Sequence, residues 1–413
     1  MKNKKIAIIG TGISGLVCGY RLAKKEYDIT LYEAADYIGG HTSTSDVEYR
    51  GEKSRIDTGF IVFNDRTYPN FIELLHEIGV DYQPSEMSFS VRNDQLSLEY
   101  NGNNINSLFA QRSNLLRPRF WRMLKDIVRF NKDVRDVAES DGSLTIGQYL
   151  GRSNYSTIFK DNYLLPMISA IWSMGLESCL DFPLSFFVRF FENHGLLDIA
   201  NRPQWFTIKN GSSSYIAPLT SRFRRNIILN TPVRRIERSG ERVLIHTDDG
   251  QHTYDQVVLA CHGDQALALL QQPTVKEQQV LEKFQFSENQ VILHTDISHL
   301  PKRQKAWASW NYRVVDSARQ QTALTYNMNI LQRLNKQNTY LVTLNQEIVE
   351  KHVIRRFSYS HPIYTTAMID AQSKWQTISG TDRIHYCGAY WFNGFHEDGV
   401  RSGIRVSNMV EEK

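Results

Sequence analysis

A glycine-rich segment near the start of the chain has the spacing of a dinucleotide-binding loop. Residues 10–15 read GTGISG; they follow the apolar run 5–9 and precede a predicted helix over 16–25. In such a loop Gly10 permits the tight turn, Gly12 lets the backbone approach a pyrophosphate, and Gly15 lets the helix pack on the strand. The phosphates would bind at the helix N-terminus, where unpaired N–H groups and the helix dipole favour negative charge. The segment therefore predicts dinucleotide binding; the alternative is a tight strand-to-helix turn in another α/β protein.

Two further features accompany this loop. Glu33 ends a second predicted strand, about 20 residues after the loop, where a carboxylate can bind an unphosphorylated ribose. Gly39 and Gly40 follow closely, which indicates a second backbone approach to the same ligand, with an ordinary turn as the alternative. His41 comes directly after this glycine pair.

Segments far along the chain complete a three-part pattern. Residues 383–389 (RIHYCGA) predict a short strand ending in a glycine, and 393–400 (NGFHEDGV) lead into a predicted helix. Between them and the loop lie 230–236 (NTPVRRI) and the apolar strand 255–261 (DQVVLAC). In this order, the motifs resemble those of the flavin-containing amine oxidase and phytoene desaturase superfamily, which binds FAD.

The resemblance implies an α/β fold: a two-dinucleotide-binding-domain flavoprotein with a Rossmann-like FAD lobe and an interleaved α+β substrate lobe. The FAD-binding domain is expected over 1–80, 215–280 and 375–413, and the substrate-binding domain over 81–214 and 281–374. In many members a basic residue follows the glycine pair, and His41 stands in that place here. The expected cofactor-binding residues are Gly10, Gly12, Ser14, Gly15, Glu33, Gly39, Gly40, His41, Gly59, Val233, Gly388, Glu397, Asp398, Gly399 and Val400.

The same resemblance sets the mode of cofactor binding. The backbone of Val233 would contact the adenine, Gly388 would approach the ribityl-phosphate, and the helix starting near Glu397 would point at the pyrimidine end of the flavin. A helix N-terminus stabilises the negative charge of reduced flavin there. No Cys or His is recognisably placed for a covalent link, so FAD is expected to bind non-covalently. NAD(P)H is not expected to be the principal tightly bound nucleotide.

Five shorter strings narrow the resemblance to a bacterial family of amine-oxidase-like flavoproteins described as FAD/NAD-binding. Members of that family often accompany cyclopropane-fatty-acid synthase-like methyltransferases, which implies lipid metabolism and a methyltransferase as a candidate partner. The strings are 57–64 (DTGFIVFN), 170–173 (AIWS), 193–197 (NHGLL), 307–312 (WASWNY) and 394–399 (GFHEDG).

Composition limits the remaining classes. The 413 residues, 41% hydrophobic and 22% charged, suit a soluble globular protein with two lobes. Four scattered cysteines without a C-x-x-C pair argue against a metal site and an oxidising compartment. No run approaches the roughly 20 apolar residues of a membrane span. The expected location is cytoplasmic, and a net charge of +4 is too mild to demand nucleic acid.

One predicted helix leaves a peripheral membrane contact open. After Pro118, apolar positions such as Phe120 and Val134 fall on one helical face. The opposite face carries Arg122, Lys125, Arg129 and Lys132. This is either a solvated face on a packed helix or a surface for acidic phospholipid headgroups.

Aromatic segments predict the substrate side. Residues 163–172 and 186–191 supply core and part of a long apolar cavity, with Arg189 either a carboxylate or phosphate ligand or a member of an ion pair. Phe395 occupies the position where many amine oxidases carry Tyr. The residues expected at the reacting centre are Phe395, Tyr364, Trp391 and His396, with His396 or His361 acting as acid or base or only holding a loop.

Three hypotheses follow from the sequence. The first is an FAD-dependent dehydrogenase or desaturase that transfers a hydride from an apolar, fatty-acyl substrate. The second is a flavin-containing amine oxidase. The third is a non-catalytic flavoprotein partner of a lipid methyltransferase.

Overall fold

The computed structural model describes residues 4–140, 144–198, 202–314, 323–335 and 337–412. The strands within these ranges are β1 Lys5–Ile9, β2 Asp28–Tyr32, β3 Thr44–Tyr49, β4 Glu52–Asp57, β5 Phe63–Asn64, β6 Tyr82–Ser85, β7 Phe89–Asn93, β8 Leu98–Asn101, β9 Trp205–Ile208, β10 Ile227–Ile228, β11 Arg235–Ser239, β12 Arg242–Thr247, β13 Gly250–Tyr254, β14 Gln256–Leu259, β15 Phe286–His294, β16 Trp310–Val314, β17 Leu324–Asn327, β18 Leu341–Leu344, β19 Val353–Pro362 and β20 Ile384–Tyr386.

The α-helices within the same ranges are α1 Ile13–Lys24, α2 Pro69–Glu77, α3 Ile105–Leu108, α4 Pro118–Ser140, α5 Ile146–Arg152, α6 Thr157–Phe159, α7 Leu165–Trp172, α8 Leu176–Leu180, α9 Leu184–Asn193, α10 Ile216–Thr220, α11 Gly263–Leu269, α12 Val275–Leu281, α13 Met328–Leu331, α14 Thr366–Ser373 and α15 His396–Glu412.

A parallel sheet of five strands, in the order β10-β2-β1-β14-β20, forms one lobe. Its central strands are apolar on both faces: residues 6–9 and all of β14 are buried. A parallel sheet covered on both sides needs such continuous apolar strands. The sheet unites residues 5–9, 28–32, 227–228, 256–259 and 384–386, and it confirms the predicted α/β class.

A seven-stranded sheet forms the second lobe, in the order β19-β15-β18-β17-β16-β7-β8. Its pairs are antiparallel except β16 with β7, which are parallel. The alternating apolar residues in 88–99, 291–294 and 339–343 predict a hairpin and two strands, and the sheet contains all three as β7–β8, β15 and β18. The small sheet β5-β9-β6 crosses the expected domain boundary at residue 80, because β9 pairs with a strand on either side of it. The domain limits themselves stay a prediction.

Helices between residues 105 and 193 cover this second sheet. The inner face of α4 buries Phe120, Met123, Phe130 and Val134, as its periodicity predicts. Phe130 lies 5.9 Å from Phe187 of α9, measured between ring centroids. The aromatic segments therefore form the core of a helical layer.

The C-terminal helix α15 lies directly on the start of α1. A Cβ at Gly399 would come 2.5 Å from Ile13 Cγ2, and one at Gly403 would come 2.7 Å from the Ser14 carbonyl oxygen. These glycines let the two helices pack in close contact, which brings the last motif of the chain onto the first.

Candidate cofactor and substrate site

In the loop between β1 and α1, the protein's own backbone and packing require Gly10 and Gly15 but not Gly12. Gly10 has φ +106°, and a Cβ at Gly15 would lie 2.2 Å from the Gly10 carbonyl oxygen. Gly12 has ordinary extended angles, φ −62° and ψ 169°, and a Cβ there would meet none of the described residues within 4 Å. No contact within the described part of the chain accounts for Gly12, so the open space at the N-terminus of α1 fits an approaching pyrophosphate.

A carboxylate is fixed beside this space. Glu33 follows β2 and accepts from the Thr11 N–H (2.9 Å) and the Thr11 hydroxyl (2.6 Å). The Thr231 N–H donates to the Glu33 carbonyl oxygen at 2.9 Å, which brings the segment with half-buried Val233 to the same edge of the sheet. This placement suits the ribose and adenine roles predicted for Glu33 and Val233.

The second glycine pair lies against the first loop. Gly39 and Gly40 have φ +131° and +56°, and a Cβ at Gly40 would lie 3.3 Å from the Gly12 Cα. The Gly39 N–H donates to the Thr11 hydroxyl at 3.3 Å. The two glycine-rich turns therefore border one space, which the spacing of the sequence predicts.

His41 contributes an uncharged polar atom to this region. Burial lowers the pKa of His41 to about 3, so its ring is neutral at physiological pH. Its ring lies 5.0 Å from that of Tyr359 and 5.5 Å from that of His361. Among the residues that the structure describes, no side chain or backbone group is hydrogen-bonded to the buried His41 Nε2. An unpartnered polar atom beside the glycine turns is available to hydrogen-bond a bound cofactor. Because the His41 ring is neutral, it does not offer a charge to the cofactor phosphates.

Several other predicted cofactor residues have roles within the protein. A Cβ at Gly59 would come 2.1 Å from the His41 carbonyl oxygen, and one at Gly388 would come 2.3 Å from Tyr390 Cε1. Gly388 also donates its N–H to the Ser402 hydroxyl at 2.9 Å. Ser14 and Val400 are buried at the contact between α1 and α15. These positions are explained by packing, and their contact with a cofactor stays a prediction.

The carboxylates of Glu397 and Asp398 are engaged by the protein. Glu397 accepts from the N–H groups of Asn70 (3.2 Å) and Phe71 (2.9 Å) and from the Asn70 side chain (2.5 Å). It thus caps the N-terminus of α2. Asp398 accepts from the Phe395 N–H at 3.0 Å, and burial raises the pKa of Asp398 to about 7. Both side chains are thus engaged within the protein, and the contact of Glu397 and Asp398 with the cofactor stays a prediction.

Helix α9 joins the two predicted substrate residues Phe395 and Tyr364. Phe395 stacks on Phe190 with centroids 4.8 Å apart and planes at 24°. Tyr364 stacks on Phe186 at 5.0 Å and 28°. Phe186 and Phe190 are four residues apart, so they share one helical face. The sequence predicts 186–191 as part of the cavity, but it does not indicate which of these phenylalanines meets which ring; their spacing on an apolar helix was a usable signal.

The hydroxyl of Tyr364 lies next to the backbone that precedes Phe395. A Cβ at Gly394 would come 2.3 Å from Tyr364 Oη. Tyr364 Oη is buried, as is Nε1 of Trp172, whose ring lies 4.8 Å from that of Phe190. Neither atom has a hydrogen-bond partner within the described part of the chain. The apolar wall thus contains two polar atoms available to a ligand.

Trp391 belongs to a different aromatic cluster. Its ring packs 4.5 Å from Phe284 and 5.3 Å from Tyr390, on the side of β20 and α12. These contacts place Trp391 with Phe284 and Tyr390, and its place in the substrate wall stays a prediction.

His396 is held too firmly, and is too weakly basic, for the acid or base role. Its ring stacks on Phe60 at 3.6 Å and 8°, and its Nε2 is 2.9 Å from the Tyr215 hydroxyl. Burial lowers the pKa of His396 to about 3, and burial lowers that of His361 to about 4. Both imidazoles are neutral, so holding a loop by stacking and hydrogen bonds accounts for His396. Phe60 and Tyr215 were not predicted, because nothing local links them to residue 396.

Arg189 is exposed, and its guanidinium lies 5.3 Å from the centroid of the Phe186 ring.

All four cysteines are free thiols. Within the described ranges, no cluster of His, Cys, Asp and Glu side chains is placed to hold a metal ion. Among the described helices, none has both the length and the apolar character that a membrane crossing requires.

A parallel sheet, a glycine-rich turn with its acid, and a C-terminal helix packed on that turn define a Rossmann-type dinucleotide-binding protein. The chain belongs to the family of flavin-containing amine oxidoreductases, whose family model matches residues 13–308. FAD is accordingly its cofactor, as the three-part pattern predicts.

Curated relatives include both expected kinds of enzyme. AofH of Mycobacterium tuberculosis (strain ATCC 25618 / H37Rv), whose name describes a flavin-containing monoamine oxidase, is 23% identical over 273 residues, 62% of this chain and 56% of that protein. The 1-hydroxycarotenoid 3,4-desaturase of Flavobacterium sp. (strain P99-3) is 28% identical over 223 residues, 52% of this chain and 41% of that protein. The chain thus spans about half the length of the curated relatives that it matches.

Solved structures share the fold over the whole chain. Cyclohexylamine oxidase from Brevibacterium oxydans IH-35A superposes with a TM-score of 0.71 at 15% identity, covering 99% of both chains. The CLA-producing fatty acid isomerase from P. acnes superposes with a TM-score of 0.69 at 15% identity, covering 100% of this chain and 99% of that chain. At such identities the likeness establishes the fold alone.

Proposed function

We propose that the protein is an FAD-dependent oxidoreductase of the dehydrogenase or desaturase type that acts on an apolar, fatty-acyl substrate. The observation that carries this proposal is the uncharged aromatic wall made by Phe395, Phe190, Phe186 and Tyr364. FAD supplies a two-electron acceptor when bound, and the protein supplies binding, orientation and exclusion of water.

The groups around Phe395 favour a neutral substrate. His194 lies 5.9 Å from Phe395, and burial lowers the pKa of His194 to about 4, so it is uncharged. Asp398, the acid that follows in the chain, is engaged by the Phe395 N–H and lies 3.5 Å from Arg401. A protonated amine would find no free carboxylate among these neighbours, whereas a hydrocarbon chain matches them.

Phe395 itself also favours a C–H donor. It presents a ring without a hydroxyl, at the position where many amine oxidases carry Tyr. Stacking on Phe190 fixes the orientation of this ring, and close positioning is what a hydride transfer requires. The carotenoid desaturase among the relatives is named for an apolar substrate, which supports the same choice.

The second candidate is an amine oxidase. The observation that favours it is the buried Tyr364 hydroxyl, which has no hydrogen-bond partner among the described residues and which an amine nitrogen could contact. A non-catalytic role beside a methyltransferase remains a third proposal.

Anaerobic reduction of the purified flavoprotein separates these candidates. One set of mixtures contains saturated and monounsaturated fatty acids and their phospholipids, and the other contains cyclohexylamine and putrescine. We expect the visible flavin absorbance to fall with an acyl compound and to persist with the amines. Reduction by amines alone would establish the second candidate, and reduction by neither set, in protein that dithionite still bleaches, would favour the third.

Phe395→Tyr is the matched variant for this assay. It keeps the ring that stacks on Phe190 and adds the hydroxyl typical of amine oxidases. If the substrate is an acyl compound, this variant should show little flavin reduction by amines and slower flavin reduction by the acyl substrate than the parent. A large gain in amine-dependent reduction would point instead to an amine site that lacks only this hydroxyl.

A further inference from the structure

The exposed apolar side chains of this protein are concentrated in one short stretch. Twelve large apolar residues are exposed among the described residues, and six of them fall between positions 96 and 128. Leu116 is 86% exposed, Ile105 79% and Trp121 49%. Single exposed apolar residues are ordinary, but a contiguous group marks an interaction site. We call this group the 96–128 surface; its members are Leu96, Ile105, Leu115, Leu116, Trp121 and Val128.

Specific contacts build these residues into one surface. The Trp121 indole N–H donates to the Leu115 carbonyl oxygen at 2.9 Å, which holds the start of α4 against the preceding turn. Arg112 donates to the Asn106 side chain at 2.6 Å, next to Ile105 in α3. Arg117 donates to the Ser97 carbonyl oxygen at 2.8 Å, which joins the hairpin tip with Leu96. The apolar residues are therefore held in place together.

A net positive charge overlaps this surface. Residues 101–132 contain seven Lys or Arg and one acid, a net charge of +6. The range 96–128 contains five Lys or Arg and two acids, Glu99 and Asp126, a net charge of +3. Both acids are buried, and Asp126 accepts from the Ser156 N–H at 2.9 Å. Arg119, Arg122 and Lys125 are exposed at intervals of three residues along α4, close in the chain to Leu116 and Trp121.

We infer that the 96–128 surface docks this protein onto an anionic phospholipid bilayer. Exposed Leu, Ile and Trp side chains would enter the boundary between headgroups and acyl chains, and the flanking Arg and Lys would contact lipid phosphates. Charge complementarity selects this occupant, because a juxtamembrane basic cluster is attracted to acidic lipid and a neutral protein partner would leave these charges unmatched. This docking does not depend on the proposed function.

The position of α4 gives the docking a consequence for the substrate. The outer face of α4 forms part of the 96–128 surface, and its inner residue Phe130 packs 5.9 Å from Phe187 of α9. The next turn of α9 carries Phe190, which stacks on Phe395. Helices α4 and α9 therefore lie between the docked bilayer and the proposed substrate wall. This short separation suits a substrate that is itself a membrane lipid.

Vesicle co-sedimentation of the FAD-loaded full chain tests the inference. The probes are vesicles of phosphatidylcholine alone and vesicles of phosphatidylcholine with phosphatidylglycerol. We expect binding to the anionic vesicles, little binding to the neutral ones, and weaker binding as salt is raised, because screening shortens the electrostatic range.

Two variants divide the surface into its charges and its apolar side chains. Arg119→Glu/Arg122→Glu/Lys125→Glu should weaken binding to anionic vesicles roughly a hundredfold. Its control, Arg222→Glu/Arg224→Glu/Arg225→Glu, makes the same charge change at exposed arginines elsewhere and should leave most of the binding. Ile105→Ser/Leu116→Ser should lower binding at all salt concentrations, whereas Val275→Ser/Val349→Ser, which alters exposed apolar residues elsewhere, should not.

Retained FAD colour and an unchanged unfolding temperature show that each variant is folded. Equal binding to neutral and anionic vesicles, no binding to either, or equal loss in a variant and its control would each overturn the inference. A concentration-dependent dimer that Ile105→Ser/Leu116→Ser abolishes, without vesicle binding by the parent protein, would show that the face pairs two copies of this chain. Failure of the flavin reduction assay alone would leave the docking result standing.

Discussion

Substituting the glycines of the loop one at a time separates cofactor contact from folding. Gly12 has backbone angles that any residue adopts, and a Cβ there meets no atom of the described residues within 4 Å. Gly12→Ala should therefore leave the apoprotein about as stable as the parent, because alanine restricts the unfolded chain but is a poorer helix N-cap than glycine. The added methyl group would occupy the space into which a pyrophosphate must come.

Gly12→Ala is expected to lower the affinity for FAD. Displacing the phosphates from close contact with the loop should cost at least about 1.4 kcal/mol, a tenfold rise in the dissociation constant. Gly15→Ala behaves in the opposite way, because its Cβ would lie 2.2 Å from a backbone oxygen. Such overpacking should lower the free energy of unfolding by about 1–3 kcal/mol, with or without FAD.

The assay combines thermal unfolding of the apoprotein with a titration in which the quenching of FAD fluorescence reports binding. Gly151→Ala is the matched control, since a Cβ there also meets none of the described residues within 4 Å but the residue lies at the end of α5, away from the loop. If Gly12→Ala bound FAD as tightly as the parent, the cofactor would not approach this backbone and the reasoning would be refuted. Unfolding of that variant without FAD would refute it equally.

Four further outcomes are expected. Phe395→Ala should keep FAD bound but slow flavin reduction by a saturating substrate tenfold or more, about 1.4 kcal/mol; an unchanged rate would place the substrate elsewhere. Glu397→Gln should lower the free energy of unfolding by about 1–3 kcal/mol, since a buried acceptor for the α2 N–H groups is lost; lost FAD affinity at unchanged stability would support the cofactor role of Glu397. Burial lowers the pKa of His294 to about 3, so its contribution is intact above pH 6.5 and falls as the pH drops towards 3. Between pH 7.5 and 5.5 the parent should lose about 1.4 kcal/mol more unfolding free energy than His294→Gln, measured by denaturant titration at each pH; equal losses would contradict the shift. Acid precipitation should release all flavin into the supernatant, and colour left on the pellet would show a covalent link.

Local sequence was sufficient for the parts of the site that lie within one strand–turn–helix unit. The run 5–9, the loop 10–15 and Glu33 follow one another closely, so strand propensity, glycine spacing and helix direction fix their mutual geometry. A hydrogen bond from the Gly39 N–H to the Thr11 hydroxyl fixes the turn at Gly39 and Gly40 relative to this loop. The glycine pair itself is evident in the sequence. The same holds for α4, whose apolar period predicted its buried face before any contact was known.

The tertiary structure alone decided which groups remain available for a ligand. Glu33 and Glu397 look alike as acids in dinucleotide motifs, but their partners differ. Glu33 accepts from Thr11 of the nearby loop, whereas Glu397 accepts from the N-terminus of α2, which lies more than 300 residues earlier in the chain. Burial, which no local pattern reports, leaves His41 and His396 neutral. Phe190 contacts Phe395 and Trp391 contacts Phe284, because the packing of α9 and the turn before Phe395 set which rings meet. Spacing along the chain defines geometry only over a few residues, whereas hydrogen-bond partners, desolvation and ring contacts depend on segments that meet only after the two lobes have folded together.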